Sequence, residues 1–325
     1  MKHRRVAVAV ALPLLLLAAA CGGDDSDSAK SGNDKYTVTL IQGQRGEEFY
    51  VSMDCGAKAA AKELGVTLDT QGPDKFDATL QNPIIDSVVA KKPDAILIAP
   101  NDTVASVPPL KQADAAGIKT ILVDTVVDDD SIGLSRISSD NVEGGRAAAK
   151  ELATQIGDKG SVLFIGTTKG VSSVDARQKG FEEEIKKHPN IKYAGPQYSE
   201  NDLQKANSIV TSSLAANPDL AGIFAANLTS ADGAASGLKQ TGKQATVKIV
   251  GFDAGPAQVK QLEAGDVQAL IVQKPYDMGY QGVQFAVKAL KGESVEKQVA
   301  TDFVVAKKDN LSSPDISKFL YKSSC

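Results

Sequence analysis

Tryptophan is missing from the 325 residues, and only two histidines, three cysteines and three methionines are present. A zinc site wants clustered Cys and His, and a nucleophilic triad wants a His base, so this poverty argues against hydrolases of either kind. Of the two histidines, His3 lies in the first twenty residues, and His188 precedes Pro189 at a helix end, where an exposed His is ordinary. No Gly-x-Ser-x-Gly elbow and no phosphate-cradling Gly-rich loop of the P-loop kind occurs. Gly144-Gly145 opens a helical pattern, but its spacing does not match dinucleotide binding. No catalytic residue, metal or cofactor is therefore expected. A surplus of positive charge is missing too: 36 Lys and Arg face 40 Asp and Glu, which makes nucleic acid a poor partner. Past the first twenty residues, no apolar run approaches the roughly 20 needed to cross a bilayer.

What is present begins at the N-terminus. Lys2, Arg4 and Arg5 precede an apolar run from Val6 to Leu17 and then Ala18-Ala19-Ala20-Cys21. This pattern predicts a signal peptide over residues 1–20. Arg4-Arg5 permits a twin-arginine route, but the flanks suit the general secretory route better. The small residues ending in cysteine resemble the lipobox of bacterial lipoproteins, which implies a diacylglycerol on Cys21 as the mature N-terminus. The alternative is an ordinary secretory peptide with an incidental cysteine. Removing residues 1–20 takes three basic and no acidic groups, leaving 33 against 40 and a formal charge of −7. Residues 21–35, rich in Gly, Ser and Asp, read as a disordered tether. The expected location is the extracytoplasmic face of the cell membrane.

The length predicts about two domains. From Tyr36 onward, β-rich runs alternate with helical patterns. The runs are Tyr36–Gln42, Val66–Thr70, Ala95–Ala99, Lys119–Asp124, Ser161–Gly166, Gly222–Ala226, Val247–Asp253 and Val267–Gln273. Helical patterns include Phe49–Leu64, Ala78–Ala90, Val142–Ile156, Val174–His188, Leu203–Ala216 and Met278–Leu290. Such alternation predicts an α/β fold with parallel sheets covered by helices on both faces. The pattern also occurs twice. Lys92-Pro93-Asp94 before one strand corresponds to Asn217-Pro218-Asp219 before another, and the strands that follow end in Asp124 and Asp253. Ligands of open α/β sheets bind beyond the carboxyl ends of the strands, so these two aspartates are expected to face one cleft. The competing reading is that each caps a turn.

Phe49-Tyr50-Val51-Ser52 with a helix ending Lys62-Glu63-Leu64-Gly65, then Ser138-Ser139-Asp140-Asn141-Val142, then Val250-Gly251-Phe252-Asp253 together resemble the ribose-binding branch of the periplasmic binding proteins. The resemblance covers Tyr36 to about Lys307. It implies a monomer with two Rossmann-like lobes joined by a three-strand hinge, closing over one monosaccharide for the permease and ATPase subunits of an ABC importer. The implied lobes are 36–139 plus 274–300 and 140–273 plus 301–310, with a tail at 311–325. The hinge lies at Ser139, Asp140 and Asn141, just after Gln273 and near Thr301. Phe49 and Tyr50 match aromatics that stack on the sugar ring, and Asp124, Asn227, Asp253 and Gln273 match residues that bond its hydroxyls. Aromatics plus carboxylates and amides suit a sugar's C–H faces and its rim of donors. For the aromatics the competing reading is core packing, and for the amides a satisfied loop position. A neutral polyol, or a polar signal read by a membrane sensor, is the alternative ligand class. The effector domain of a sugar-responsive repressor shares this fold but carries no signal peptide.

Two further expectations come from particular residues. Helix positions Met53, Ala57, Ala60 and Leu64 read as core-facing, which turns Cys55 to the opposite side. An exposed thiol outside the cytoplasm is seldom left unpaired, so a Cys55–Cys325 disulfide strapping the tail to the N-terminal lobe is expected. Departures from the ribose-binding pattern put Glu47, Thr125, Asp175 and Asn201 where that pattern has an asparagine, two arginines and an aromatic. Four acids, Glu47, Asp124, Asp175 and Asp253, then face a cleft with only Arg45 or Arg177 nearby. Unpartnered buried carboxylates are costly, so the ligand is expected to carry an amine, as an amino sugar does. The bland readings are a solvated loop for Glu47 and a helix cap for Asp175.

Overall fold

The computed structural model describes residues 35–325; the expected signal peptide, Cys21 and all but the last residue of the expected tether lie outside them. In chain order, the first part runs β1 (Thr37–Ile41), α1 (Glu48–Leu64), β2 (Thr67–Gln71), α2 (Ala78–Lys91), β3 (Ala95–Ile98), α3 (Val107–Ala115), β4 (Lys119–Val123) and β5 (Ser135–Ser139). The second runs α4 (Asn141–Gln155), β6 (Gly160–Gly166), α5 (Ser172–Ile185), β7 (Ile191–Tyr198), α6 (Leu203–Ala216), β8 (Leu220–Ala225), α7 (Leu228–Thr241), β9 (Lys248–Phe252), α8 (Pro256–Ala264) and β10 (Ala269–Val272). After these come α9 (Pro275–Leu290), β11 (Gln298–Thr301), β12 (Val304–Ala306) and a last turn of helix, α10 (Pro314–Ser317).

Two six-stranded sheets result, ordered β11-β5-β4-β3-β1-β2 and β12-β10-β9-β8-β6-β7. All pairings are parallel except β10 with β12. The central strands β3, β4, β9 and β10 are buried along nearly their whole length, because helices cover both faces. Four strands are not marked by an apolar run. β5 reads Ser-Arg-Ile-Ser-Ser, and β7 carries Gly195 and Pro196 at a sheet edge, where proline costs no ladder bond. β11 and β12 are short edge strands whose only signal is a partner far away in the chain. Helix α5 ends at Ile185, short of the expected His188.

The chain passes between the sheets after β5, after β10 and between β11 and β12. Beside the first two passages, a pair of helices packs closely enough to exclude a Cβ. In one lobe, a Cβ on Gly56 of α1 would lie 1.9 Å from the Tyr276 carbonyl of α9, and one on Gly279 would lie 2.0 Å from the Met53 carbonyl. In the other, Gly145 of α4 and Gly180 of α5 stand in the same relation to the Arg177 and Val142 carbonyls, at 2.1 and 1.9 Å. Any side chain at these positions would push the helices apart.

Helix α1 corrects one expectation. Met53, Ala57 and Ala60 are buried against the sheet, but Leu64 is 38 % exposed at the helix end. Cys55 is bonded to Cys325 and is buried beneath the tail that the bond holds. Leu311, Ile316 and Tyr321 of that tail join the main apolar core. Among the described residues no helix is long and apolar enough to cross a membrane, and no group of Cys, His, Asp and Glu could hold a metal ion.

Candidate functional site

The strand ends β4 and β9 converge between the lobes, and each puts its aspartate in an unusual backbone conformation. Asp124 has φ +64° and Asp253 φ +80°, in the left-handed region that side chains with a Cβ seldom adopt. Each main-chain N–H donates to the carbonyl of the neighbouring strand, Ile137 in one lobe and Ile271 in the other, both at 2.8 Å. The carboxylates of both aspartates line a small cavity between the lobes.

Glu47, Phe49 and Tyr50 enter this cavity from the start of α1. Phe49 and Tyr50 meet edge to face at 5.0 Å, and the Tyr50 hydroxyl donates to Asp124 Oδ2 at 2.8 Å. The Gln42 amide fixes the helix start by donating to the Tyr50 carbonyl. Glu47 sits at the N-cap position without capping the helix, and the residue is half-buried, with its carboxyl turned inward rather than into solvent. Burial pushes it up to about 8, assisted by repulsion from Asp253, Asp124 and Glu48, while a bond from Asn201 opposes the shift. Asp124 is pushed up to about 6, again chiefly by burial, with Arg177 and the Tyr50 hydroxyl pulling the other way.

The opposite wall belongs to the second lobe. Gln273 follows β10, accepts from the Ser139 hydroxyl at 2.8 Å and donates to Asp253 Oδ1 at 2.7 Å. Asp253 Oδ2 accepts the Leu228 N–H at 2.9 Å. Asn227 caps α7 through Ser230 N–H and donates to Asn201 Oδ1 at 2.7 Å, so it is both a satisfied cap and a lining residue. Asn201 in turn donates to Gln44 Oε1 across the cleft at 2.7 Å. Two further bonds join the lobes, from Thr103 N–H to the Gly170 carbonyl and from Val126 N–H to the Ser172 hydroxyl. At the first passage Asp140 caps α4, and the Asn141 side-chain oxygen accepts from Arg177 Nε at 2.8 Å.

Asp175 lies outside the cavity. Val174 and Arg177 of α5 line it, and at 100° per residue Asp175 falls on another face, where it accepts the Gly170 N–H and borders a shallow surface groove with Lys169 and Lys179. The cavity acids are therefore three, Glu47, Asp124 and Asp253. Arg45 pairs with Asp74 at the surface, which leaves Arg177 as the cation among the lining residues. Arg177 stacks on Phe252 at 3.8 Å and donates to the Ala226 carbonyl. Thr125 turns away, donating to the Pro100 carbonyl.

Several lining residues carried no sequence signal of their own, among them Phe76, Thr167, Val171 and Ser173. Thr167 Oγ1 is buried and has no hydrogen-bond partner among the described residues, although it follows directly on the end of β6, where a ligand-facing residue is expected. Tyr321 was also missed. Its hydroxyl donates to Asp253 Oδ1 at 2.8 Å from a tail distant in sequence.

A periplasmic binding protein domain model matches residues 38–294. The ribose import binding protein of Salmonella typhimurium is 32 % identical over 272 residues, covering 82 % of this chain and 89 % of its own. A solute-binding protein of an ABC transporter from Agrobacterium vitis, solved with α-D-tagatopyranose, is 43 % identical with a TM-score of 0.87, covering 89 % of this chain and all of that one. A carbohydrate transporter solute-binding protein from Agrobacterium radiobacter, solved with D-arabinose, is 32 % identical with a TM-score of 0.85, covering 89 % and 99 %. These relatives are binding proteins of transport systems, not enzymes. With the match to its two-sheet architecture, the chain belongs to the type I periplasmic binding protein family, on the branch of the sugar-binding proteins.

Proposed function

We propose that the protein is the solute-binding component of an ABC importer and that it captures one monosaccharide in the cavity between its lobes. One observation carries this reading: a polar cavity whose groups are complementary to hydroxyls. Asp124 and Asp253 accept, Arg177 and the protonated Glu47 donate, Phe49 offers an apolar face, and buried Thr167 Oγ1 has no partner among the described residues. Asp253 and Arg177 are already oriented by neighbours, so the ligand meets a preorganised rim. The lobes would open for entry and close on the sugar, and the permease would read the closed form.

The finer question is whether the sugar carries an amine. Three acids against one cation favour a cationic ligand. The raised Glu47 carboxyl favours a neutral one, since at neutral pH it is itself uncharged. Calorimetry at two pH values separates the readings. An amino sugar gains affinity from pH 6 to 8 as Glu47 ionises, so glucosamine should then bind far more tightly than glucose, and Glu47→Gln should erase the difference. A neutral sugar such as D-tagatose or D-arabinose binds best while Glu47 stays protonated, and loses affinity over the same interval. If neither class binds at either pH, the monosaccharide reading is wrong.

Lipid attachment at Cys21 would hold the protein at the outer face of the cell membrane, beside its permease. It rests on the Ala18-Ala19-Ala20-Cys21 sequence alone. Cys21→Ser should release the protein to the medium or leave the precursor uncut; a variant that stays cell-bound and correctly trimmed removes the anchor.

A further inference from the structure

We infer that the C-terminal tail is a built part of the binding site, acting as a fourth link between the lobes in which Tyr321 positions Asp253 and Phe49. This deepens the monosaccharide reading and rests on it for the ligand. The three passages of the chain between sheets are backbone alone; the tail is closed by a covalent bond. It leaves the second lobe at β12, buries Leu311 and Ile316, and runs past the second passage, where Phe319 lies 4.4 Å under the ammonium of Lys274.

Tyr321 then touches both lobes at once. Its N–H donates to the Ala254 carbonyl at 3.0 Å and its hydroxyl to Asp253 Oδ1 at 2.8 Å, both in the second lobe. Its ring meets Phe49 of the first lobe edge to face at 5.8 Å. The next residue, Lys322, donates its N–H to the Ser52 hydroxyl of α1, and Cys325 is bonded to Cys55 on the same helix.

Two physical consequences follow. First, a strap that only packed would be served by phenylalanine at position 321, but here the hydroxyl reaches a carboxylate that faces the ligand. Asp253 Oδ1 takes two donors, Tyr321 and Gln273, and Oδ2 takes the Leu228 N–H, so the carboxylate is held with its one remaining lone-pair position, on Oδ2, in a set direction. Burial and the neighbouring Asp253 push the Tyr321 phenol upward, so it remains a donor throughout the working pH range. Second, the four peptide units from Tyr321 to Cys325 span at most about 14 Å when fully extended. Ala254 and Cys55 cannot separate farther than that reach allows without tearing Tyr321 from its bonds. The tail therefore limits opening and raises the population of binding-competent, near-closed protein, which tightens apparent affinity.

The test compares the mature, unmodified chain with Tyr321→Phe and with the double variant Cys55→Ser/Cys325→Ser. Calorimetry with D-tagatose, D-arabinose and D-glucosamine is combined with X-ray scattering and thermal unfolding. Tyr321→Phe keeps the ring and the disulfide, and should weaken the best-bound sugar about tenfold because Asp253 loses a donor that fixes its direction, while the same lost bond lowers the melting temperature by a few degrees. The double variant should weaken binding roughly threefold and raise the ligand-free radius of gyration, while the sugar-bound radius stays that of the unmodified chain. Unaltered affinity in Tyr321→Phe together with an unaltered ligand-free radius in the double variant overturns the inference and leaves the sugar reading standing. Should none of the three sugars bind the unmodified chain, the sugar reading falls, and an unchanged ligand-free radius in the double variant overturns the tether by itself.

Discussion

Asp124 and Asp253 occupy the same place in the two halves of a repeated fold, with the same left-handed backbone and the same main-chain bond to the next strand, yet their surroundings differ. Asp124 takes one protein donor, the Tyr50 hydroxyl, and burial pushes its carboxyl up to about 6. Asp253 takes three, from Gln273, Leu228 and Tyr321. Repetition of a strand end places a carboxylate, but its partners decide what that carboxylate does. Asp253 is an anchored acceptor that organises the side of the cavity next to the passage of the chain after β10. Asp124 is less saturated and so has more capacity for a ligand.

The largest effect that breaks this comparison is removal of the anchored member. Asp253→Ala strands three donors, and should cost about 2–4 kcal/mol in unfolding free energy by chemical denaturation as well as more than a hundredfold in sugar affinity. Asp124→Asn should cost about tenfold to a hundredfold in affinity by calorimetry while leaving stability within about 1 kcal/mol, because only Tyr50 loses its partner. Equal stability losses in the two variants would show the aspartates to be equivalent.

A smaller effect tests the empty acceptor and donor capacity elsewhere on the rim. Thr167→Val preserves shape and removes the unpartnered hydroxyl. It should lower sugar affinity about fivefold to tenfold and leave the melting temperature unchanged or slightly higher. A melting temperature several degrees lower would mean that Thr167 already has a structural role.

The smallest effect sharpens the electrostatic side. Glu47 and Asp124 have carboxyls raised above their ordinary values, so between those values the folded protein holds more protons than the unfolded chain. Their contribution to stability is full below about pH 4 and is lost as pH rises, through about 6 for Asp124 and about 8 for Glu47. Ligand-free protein should melt progressively lower from pH 5 to 8, and Glu47→Gln should flatten the upper part of that slope. A melting temperature that rises across the interval contradicts the assignment.

Much of this was legible in the chain. Apolar runs and helical spacing marked the strands at the heart of both sheets, because those strands are buried on both faces and need no partner to be recognised. β5, β7, β11 and β12 were missed, since a polar or short edge strand is defined by its neighbour and not by its own composition. Within the site the contrast falls on one helix. Asp175 and Arg177 stand two residues apart on α5, about 200° around its axis, and only Arg177 lines the cavity.

The sequence by itself determined the two-sheet α/β fold, the matched strand-end aspartates and the pairing of its two spare cysteines. Each follows from a local pattern: continuous apolar strands, a repeated strand ending, and a helix face with one thiol in a chain expected to lie outside the cytoplasm. The tertiary structure alone decided which polar groups share the cavity, how many donors each aspartate receives, and that Tyr321 reaches Asp253. Those contacts join residues tens to hundreds of positions apart. Their geometry depends on how helices without a Cβ at Gly56, Gly145, Gly180 and Gly279 pack, and on where a strapped tail comes to rest.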